Sequence, residues 1–560
     1  REENVPPVAW RRRLWWVTLA FVPSSLVLGA TTYVTTDLAA VPLLWVIPLS
    51  LYLLSFVVVF ARRRVIPVRV AARVLPGAAV LLALVYLSGA TEPAWFLILF
   101  HLLFLFCAAL VCHGQLADDR PAPARLAEFY LCMALGGALG GLFNALVAPV
   151  AFDTLIEYPL VVVLASYLRP GFRRARGRLF GLRLGARARE ESPDVEGAGE
   201  GRPGALDFLL PLLMGVLSAA LLLVVNRFEL TNVERVALSF GVPLFLLNHF
   251  FTPRPLRFAL GLGAVMLASA LFSVSEGRTL HAARNFYGTH RVLADDSDTL
   301  HWLRHGSTLH GKQYTEPARA CEPISYYHRE GPLGSVFNAL RAKAAVAEVL
   351  AGDAPQSSGR PAVAVVGLGA GTTAAYARAG DSWTFYEIDP AVVAVAREPK
   401  FFTYLSSCAG APVSVVVGDA RLRLREAADG AYDLIVLDAF SSDSVPAHLM
   451  TREALALYLS KLAPGGVIAF HVSNRSLQLE RVAGGIAADA GLQARIFDDG
   501  RESGSESAHD PSTWVAVART AKDLGPLASD ANWPGFEPAV YELEVWRDDF
   551  SDVISVFRWR

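Results

Sequence analysis

Residues 361–371 read PAVAVVGLGAG, and the C-terminal half takes its meaning from them. Ala362 to Val366 are small or β-branched apolar residues without polar alternation, the pattern of a strand buried on both faces. The run ends in Gly367-Leu368-Gly369-Ala370-Gly371, where missing side chains let the backbone approach a ligand closely. TTAAYARAG (372–380) predicts a helix and WTFYEIDP (383–390) a second strand. Strand, glycine turn, helix and strand within about 30 residues form a dinucleotide- or adenosyl-binding unit, with the helix N-terminus adding a positive dipole end.

Acidic residues recur where such a sheet ends. Glu387 closes the second strand, where a carboxylate can accept both hydroxyls of a ribose. Asp389 precedes Pro390 and is expected to cap the next helix. VSVVVGDAR (413–421) predicts a third strand that delivers Asp419 to an adenine amine. YDLIVLDAF (432–440) predicts a fourth that delivers Asp438, and GGVIAFHVSN (465–474) a fifth. One such acid is commonly a helix cap or a solvated loop charge; three at successive strand ends mark the ligand edge of an open α/β sheet.

The N-terminal half is a different kind of chain. Hydrophobic residues make up 53% of the sequence and charged ones 18%, against about a quarter charged in ordinary soluble proteins; mean hydropathy is +0.37. Nine apolar runs are candidate membrane spans, near 14–34, 40–61, 68–88, 93–112, 126–148, 154–168, 206–225, 234–251 and 256–275. Arg11 to Arg13, Arg62 to Arg64 and the eight arginines of 169–189 fall on one side by alternation, which the positive-inside rule makes cytoplasmic. The stretch 169–205 turns from Arg-rich to acidic and Gly-rich and reads as a linker. Within 126–148, Gly136 with Gly140 and Gly137 with Gly141 form two small-xxx-small pairs suited to close helix approach. Glu128, Asn144, His101 and His113 are the polar residues that could line a path for a solute.

The net charge of −1 gives no reason to invoke nucleic acid. Five cysteines occur without CxxC or Cys/His ligand spacing, so the sequence suggests neither a disulfide framework nor a metal site, and all five read as small buried apolar side chains.

Several stretches carry a family likeness: VVGLGAGTTAAYA, YEIDP, GDARLRL, YDLIVLDAFSSDSVPAHLMT and LAPGGVIAFHVSNR, with LRHGSTLHGKQ and ISYYHREGPLG upstream. The region from 284 to about 520 resembles the spermidine synthase family of aminopropyltransferases. With AFVPSSLVLGATTYVTTDLAAVPLLWVIPLSLYLLSF and CHGQLADDRPAPARLAEFYL, the whole chain resembles fused major-facilitator and spermidine-synthase-like membrane proteins. The resemblance implies that Gly367, Gly369 and Gly371 flank the sulfonium and its ribose. It further implies that Glu387 binds the ribose hydroxyls and Asp419 the adenine. Asp438 and Tyr327 would be catalytic, Asp438 helping to deprotonate and orient the attacking amine, while Gln313, Tyr326 and Asp443 would face the acceptor. The chemistry calls for such a carboxylate: with a pKa near 10.4, only about one amine in a few thousand is neutral at pH 7. The sulfonium supplies the leaving group, so no metal is expected.

The chain also departs from that pattern. DEFxYHE becomes EPISYYHRE, placing Arg329 where a carboxylate follows the histidine; LDGxxQ becomes RHGSTLH, with His305 in place of its Asp; and DSSDP is stretched to DAFSSDSVP. Fewer acids and added cations ill suit a polycationic acceptor such as putrescine.

The expected fold is therefore a multi-pass α-helical membrane domain joined to an α/β Rossmann-like, methyltransferase-like soluble domain with a small β N-terminal subdomain. Its expected segments are transmembrane helices in 1–168, the linker 169–205, further helices in 206–276, the small β subdomain 277–335, the Rossmann-like domain 336–525 and a C-terminal extension 526–560. The expected activity is alkylation of an amine by decarboxylated S-adenosylmethionine or S-adenosylmethionine. Methyl transfer, or a non-catalytic transport or assembly role with a degenerate nucleotide-like domain, are the alternatives. Expected partners are the lipid bilayer, a small amine and a membrane-protein complex or second copy. The expected location is the plasma membrane, with the soluble domain on the cytoplasmic side where its donor is made; nine spans from a cytoplasmic N-terminus would instead place it outside, a conflict that a re-entrant or miscounted segment would remove.

Overall fold

The computed structural model describes residues 7–38, 43–61, 66–171, 203–228, 230–272, 277–306, 308–351, 360–439, 446–500, 509–537 and 544–558. They fall into two compact units, Arg1–Leu38 with Leu43–Val274, and Ala39–Pro42 with Ser275–Arg560.

The first unit is helical, and each of the nine apolar runs supplies a helix. Among the described residues, five segments are long and apolar enough to cross a membrane: Trp10–Leu38, Val68–Ser88, Ala94–Asp118, Pro123–Ala151 and Leu206–Val225. Val46–Phe60, Glu157–Tyr167 and Pro255–Leu271 are shorter apolar helices. Of the two glycine pairs only one packs. A Cβ on Gly136 would lie 2.3 Å from the Val17 carbonyl oxygen and one on Gly140 2.6 Å from that of Phe21, whereas Gly137 and Gly141 meet nothing within 4 Å. Backbone contact between Leu126–Leu142 and Trp10–Tyr33 therefore requires the first pair alone. The polar residues singled out above are tied down: Glu128 pairs with Arg13 and Arg125, Asn144 donates to Ser25 Oγ at 2.6 Å, His101 meets Tyr158 at 2.6 Å and His113 meets Ser55 at 2.7 Å.

The second unit begins with an antiparallel sheet of four strands in chain order, β1 (Arg278–Asn285), β2 (Gly288–Ala294), β3 (Leu300–His305) and β4 (Thr308–Tyr314). A seven-stranded sheet follows: β5 (Ala362–Val366), β6 (Ser382–Glu387), β7 (Val413–Val417), β8 (Tyr432–Leu437), β9 (Leu462–His471), β10 (Gln493–Asp499) and β11 (Ser512–Ala518). Its order is β10-β11-β9-β8-β5-β6-β7, parallel from β9 to β7, with β11 antiparallel to both neighbours. This is a Rossmann-like sheet of the S-adenosylmethionine-methyltransferase type. Large apolar side chains such as Trp383, Trp514 and Trp533 are buried on its faces, each contributing roughly 1.5–3 kcal/mol or more by leaving water. The C-terminal extension belongs to the same core, since Trp546 and Val556 are buried and Arg421 pairs with Asp548 at 2.7 Å.

Two local expectations are corrected. Residues 372–380 form no α-helix: a short 3-10 turn, Thr372–Tyr376, leads to β6 within a few residues, too short to carry a helix dipole. The cysteines are not all free, because Cys321 and Cys408, 87 residues apart, form a disulfide with Cα atoms 5.1 Å apart. Cys107, Cys112 and Cys132 are free.

Candidate active site

In an open parallel sheet, successive crossovers leave a crevice beyond the strand C-termini where the strand order reverses. Here the order reverses at β5, with β6 on one side and β8 on the other. Beyond those strand ends lies a cavity of about 570 Å³, lined by Gly367, Gly369, Glu387, Asp419, Asp438, Tyr326 and Tyr327 among others.

The glycine bend is shaped by its neighbours. Gly367 has φ +96° and a Cβ there would sit 2.1 Å from the Asp438 carbonyl oxygen; at Gly369, φ +53°, it would sit 2.4 Å from that of His310. A side chain at either point would push apart the floor of the cavity. Glu387 is 8% exposed and is held by backbone N–H groups, Leu368 donating to Oε2 and Asp389 to Oε1, both at 2.9 Å. Burial pushes its carboxyl above the usual range, and those two N–H groups bring it part of the way back. Asp419 divides its oxygens: Oδ1 accepts from Leu422 N at 2.9 Å as a helix cap, and Oδ2 lies 3.2 Å from His448 Nε2. Asp389 caps its helix through Ala391 N and also accepts from Asn285 Nδ2 and meets His290 Nε2, both at 2.6 Å. It thereby ties the β1–β2 hairpin to the sheet edge.

Asp438 sits in a second set of contacts. Its Oδ2 accepts the Tyr327 hydroxyl at 2.5 Å, and its Oδ1 lies 2.7 Å from His471 Nδ1. His471 Nε2 lies 2.8 Å from Ser473 Oγ, which accepts from Thr513 N at 2.8 Å. Tyr326 stacks obliquely on Tyr327 at 4.4 Å and on His471 at 4.9 Å, with its hydroxyl on the Leu309 carbonyl. Burial, then the Asp438 charge, pushes both phenols well above their ordinary value, so they remain donors. Burial and neighbouring histidines hold His305 down to about 4 and His310 down to about 3, so both rings are neutral at pH 7. His310 lines the cavity, and its buried Nε2 has no hydrogen-bond partner among the described residues.

Not every expected site residue is here. Gly371 lies off the cavity: its φ of +84° turns the chain into the 3-10 segment, where a Cβ would meet Leu405. Gln313 is 3% exposed and spent on structure, donating to Ala320 O and Thr403 Oγ1 and accepting from Thr403 N. Asp443 lies outside the described residues. Arg329, the added cation, turns away to the Ala375 carbonyl and the Tyr376 ring. The structure adds residues the sequence did not single out: His471, Ser473, Asp498, Asp510, Arg475 and Arg558 all line the cavity. Asp510 accepts from Lys312 at 2.7 Å and Ser325 at 2.6 Å. A signal for His471 and Ser473 existed, since residues two apart at a strand end share a face; none marked Asp498, Asp510 or Arg558. Among the described residues no group of three or more His, Cys, Asp or Glu is arranged to hold a metal ion.

No family model matches the chain. It is 35% identical over 92 residues to the polyamine aminopropyltransferase of Vibrio vulnificus, a match covering 16% of this chain and 29% of that protein. Because the match spans less than a third of that curated relative, it does not carry the relative's activity with it. Among solved structures the chain is similar to a probable spermidine synthase from Corynebacterium glutamicum (17% identity, 50% of this chain and 98% of that one, TM-score 0.34). It is also similar to the spermidine synthase of Thermotoga maritima (14%, 50% and 85%, TM-score 0.29) and to an S-adenosylmethionine-dependent methyltransferase from Archaeoglobus fulgidus (16%, 34% and 95%, TM-score 0.22). The fold assignment rests on the strand order itself.

Proposed function

We propose that the C-terminal unit is a transferase that alkylates an amine with the sulfonium of decarboxylated S-adenosylmethionine. The observation that carries this reading is the convergence of Glu387, Asp419 and Asp438 with the glycine bend on one cavity. The group fits: Glu387 keeps acceptor capacity on both oxygens beyond the two backbone contacts, Asp419 lines the cavity, and His310 Nε2 is a polar atom without a partner among the described residues. Asp438, Tyr327 and His471 then orient the acceptor and remove its proton, and positioning the two substrates in line supplies much of the rate. The 92-residue similarity to a polyamine aminopropyltransferase supports aminopropyl over methyl transfer. Product mass separates the two outcomes. Calorimetry on the full-length chain in detergent with methylthioadenosine is expected to show micromolar binding; no heat with methylthioadenosine or S-adenosylmethionine sinks the enzymatic reading.

We further propose that the N-terminal unit spans a bilayer and that the C-terminal unit faces its oxidising side. Cytosolic origin of the donor argues for the inside. Two properties of this chain argue for the outside: three apolar helices lie between the arginine-rich segment and β1, and Cys321 is disulfide-bonded to Cys408. Non-reducing peptide mapping of membranes is expected to recover the Cys321–Cys408 cross-link, and an alkaline phosphatase fusion within the C-terminal unit to be active. Reduced thiols at both positions with an inactive fusion would put the unit in the cytoplasm.

A further inference from the structure

We propose that His471, rather than Asp438, takes the proton from the attacking amine, with Asp438 acting as the positioning residue behind it. This rests on the amine-alkylation reading above. The argument comes from the directions of hydrogen bonds along one chain of groups. Thr513 N–H can only donate, so Ser473 Oγ accepts it, at 2.8 Å. An ionised Asp438 can only accept, so His471 offers it the Nδ1 proton, and in the neutral ring Nε2 carries the lone pair that accepts the Ser473 hydroxyl, 2.8 Å away. The ring proton is therefore on Nδ1, and it is given to Asp438 Oδ1 at 2.7 Å, while Tyr327 gives its proton to Oδ2 at 2.5 Å. Every donation in the chain runs toward Asp438. Both carboxylate oxygens are engaged, and the basic lone pair of the network is that of His471, a cavity-lining residue whose Nε2 meets the Ser473 hydroxyl.

Packing fixes that nitrogen in place. His471 ends β9, is 6% exposed and lies flat on Trp514, with ring centroids 4.5 Å apart and planes 7° from parallel. An imidazole also matches the task better than a carboxylate, since its ordinary pKa of about 6.5 lies closer than about 3.9 to an ammonium near 10.4. Ser473 holds the lone pair of His471 until the acceptor arrives.

The step balances. An ammonium N–H bond breaks as the Nε2–H bond forms, directly or with the Ser473 hydroxyl passing its own proton to Nε2 while taking that of the amine. The imidazolium rests against the Asp438 carboxylate. The freed lone pair forms the new N–C bond, the C–S electrons move to sulfur and leave a neutral thioether, and His471 returns its proton to water.

The test uses the chain in detergent with decarboxylated S-adenosylmethionine and, in turn, putrescine, spermidine, ethanolamine and lysine, reading methylthioadenosine release. His471→Gln is expected to lose at least about 10²-fold in kcat, with methylthioadenosine affinity within about threefold of wild type. Added imidazole should restore part of the rate to His471→Ala, which a purely structural defect would not allow. His471→Asn serves the same test if the glutamine variant fails to fold. Turnover of His471→Gln within about threefold of wild type returns the proton to Asp438 and leaves the transferase reading standing. Donor binding without turnover of any of the four amines by wild type sinks that reading and this inference together.

Discussion

Asp438→Asn is expected to lower kcat by about 10³- to 10⁴-fold while methylthioadenosine affinity stays within about threefold of wild type. Two donors converge on this side chain, the Tyr327 hydroxyl at 2.5 Å and His471 Nδ1 at 2.7 Å. An amide offers one acceptor oxygen and one NH₂, so one of those donors must face another donor. If the NH₂ meets His471, the ring is driven to its other tautomer, with the proton on Nε2 and no lone pair toward Ser473. If it meets Tyr327, the phenol loses its partner in a buried site where burial already holds its proton tightly. Either way the negative charge that would sit beside an imidazolium is gone. The shape of the side chain is unchanged, so the folding cost is limited to one mispaired buried donor, about 1–3 kcal/mol. Methylthioadenosine release, calorimetry and a thermal melt together check all three statements. Turnover close to wild type would remove the whole Tyr327–Asp438–His471 network from the chemistry.

The parts of this chain that could be read from sequence share a physical cause. Strands buried on both faces, such as Ala362–Val366 and Tyr432–Leu437, are uninterrupted apolar runs bounded by glycine or acid, and five parallel strands stand out that way. Acids at their C-terminal ends inherit their placement from sheet topology, so Glu387, Asp419 and Asp438 could be assigned to one edge before any geometry was known. The four-stranded sheet of 278–314 was legible only as a small β subdomain, because its strands are half-buried and mix polar with apolar residues. Gln313 looked like a ligand contact, yet a buried amide with three satisfied hydrogen bonds serves the loops at Thr403 and Ala320 instead. The Cys321–Cys408 pairing depends on two loops meeting in space, which spacing cannot show. Asp510 and Arg558 reach the cavity by the same long-range route. Arg329 was read as an added cation in that site, but its guanidinium leans on the Tyr376 ring.

The second large effect concerns the opposite end of the cavity. Glu387→Gln is expected to weaken methylthioadenosine binding by about 10²-fold, because two hydroxyl donations to a charged oxygen pair, each worth about 1.5–3 kcal/mol, are reduced to one donation to a neutral oxygen. The backbone adds to the effect. Leu368 N and Asp389 N each donate to one Glu387 oxygen, so an amide NH₂ must confront one of them and turn the side chain away from the ribose. The pH dependence gives an independent reading. Burial raises the Glu387 carboxyl above its usual range, so on acidification it protonates at a higher pH than the ordinary glutamate near 4.3. Nucleoside binding by wild type should therefore weaken as pH falls through that raised value, while the glutamine variant, having nothing to titrate there, should bind weakly and flatly. For stability the sign is reversed. A carboxylate whose folded pKa is raised costs stability when ionised, at pH values above its unfolded value, and that cost fades as pH falls. The variant removes this cost and introduces one mispaired N–H, so its melting temperature at neutral pH should stay close to wild type while its affinity does not. A variant that bound methylthioadenosine as wild type does, with the acidic limb still present, would move the ribose away from Glu387 and require another group to hold it.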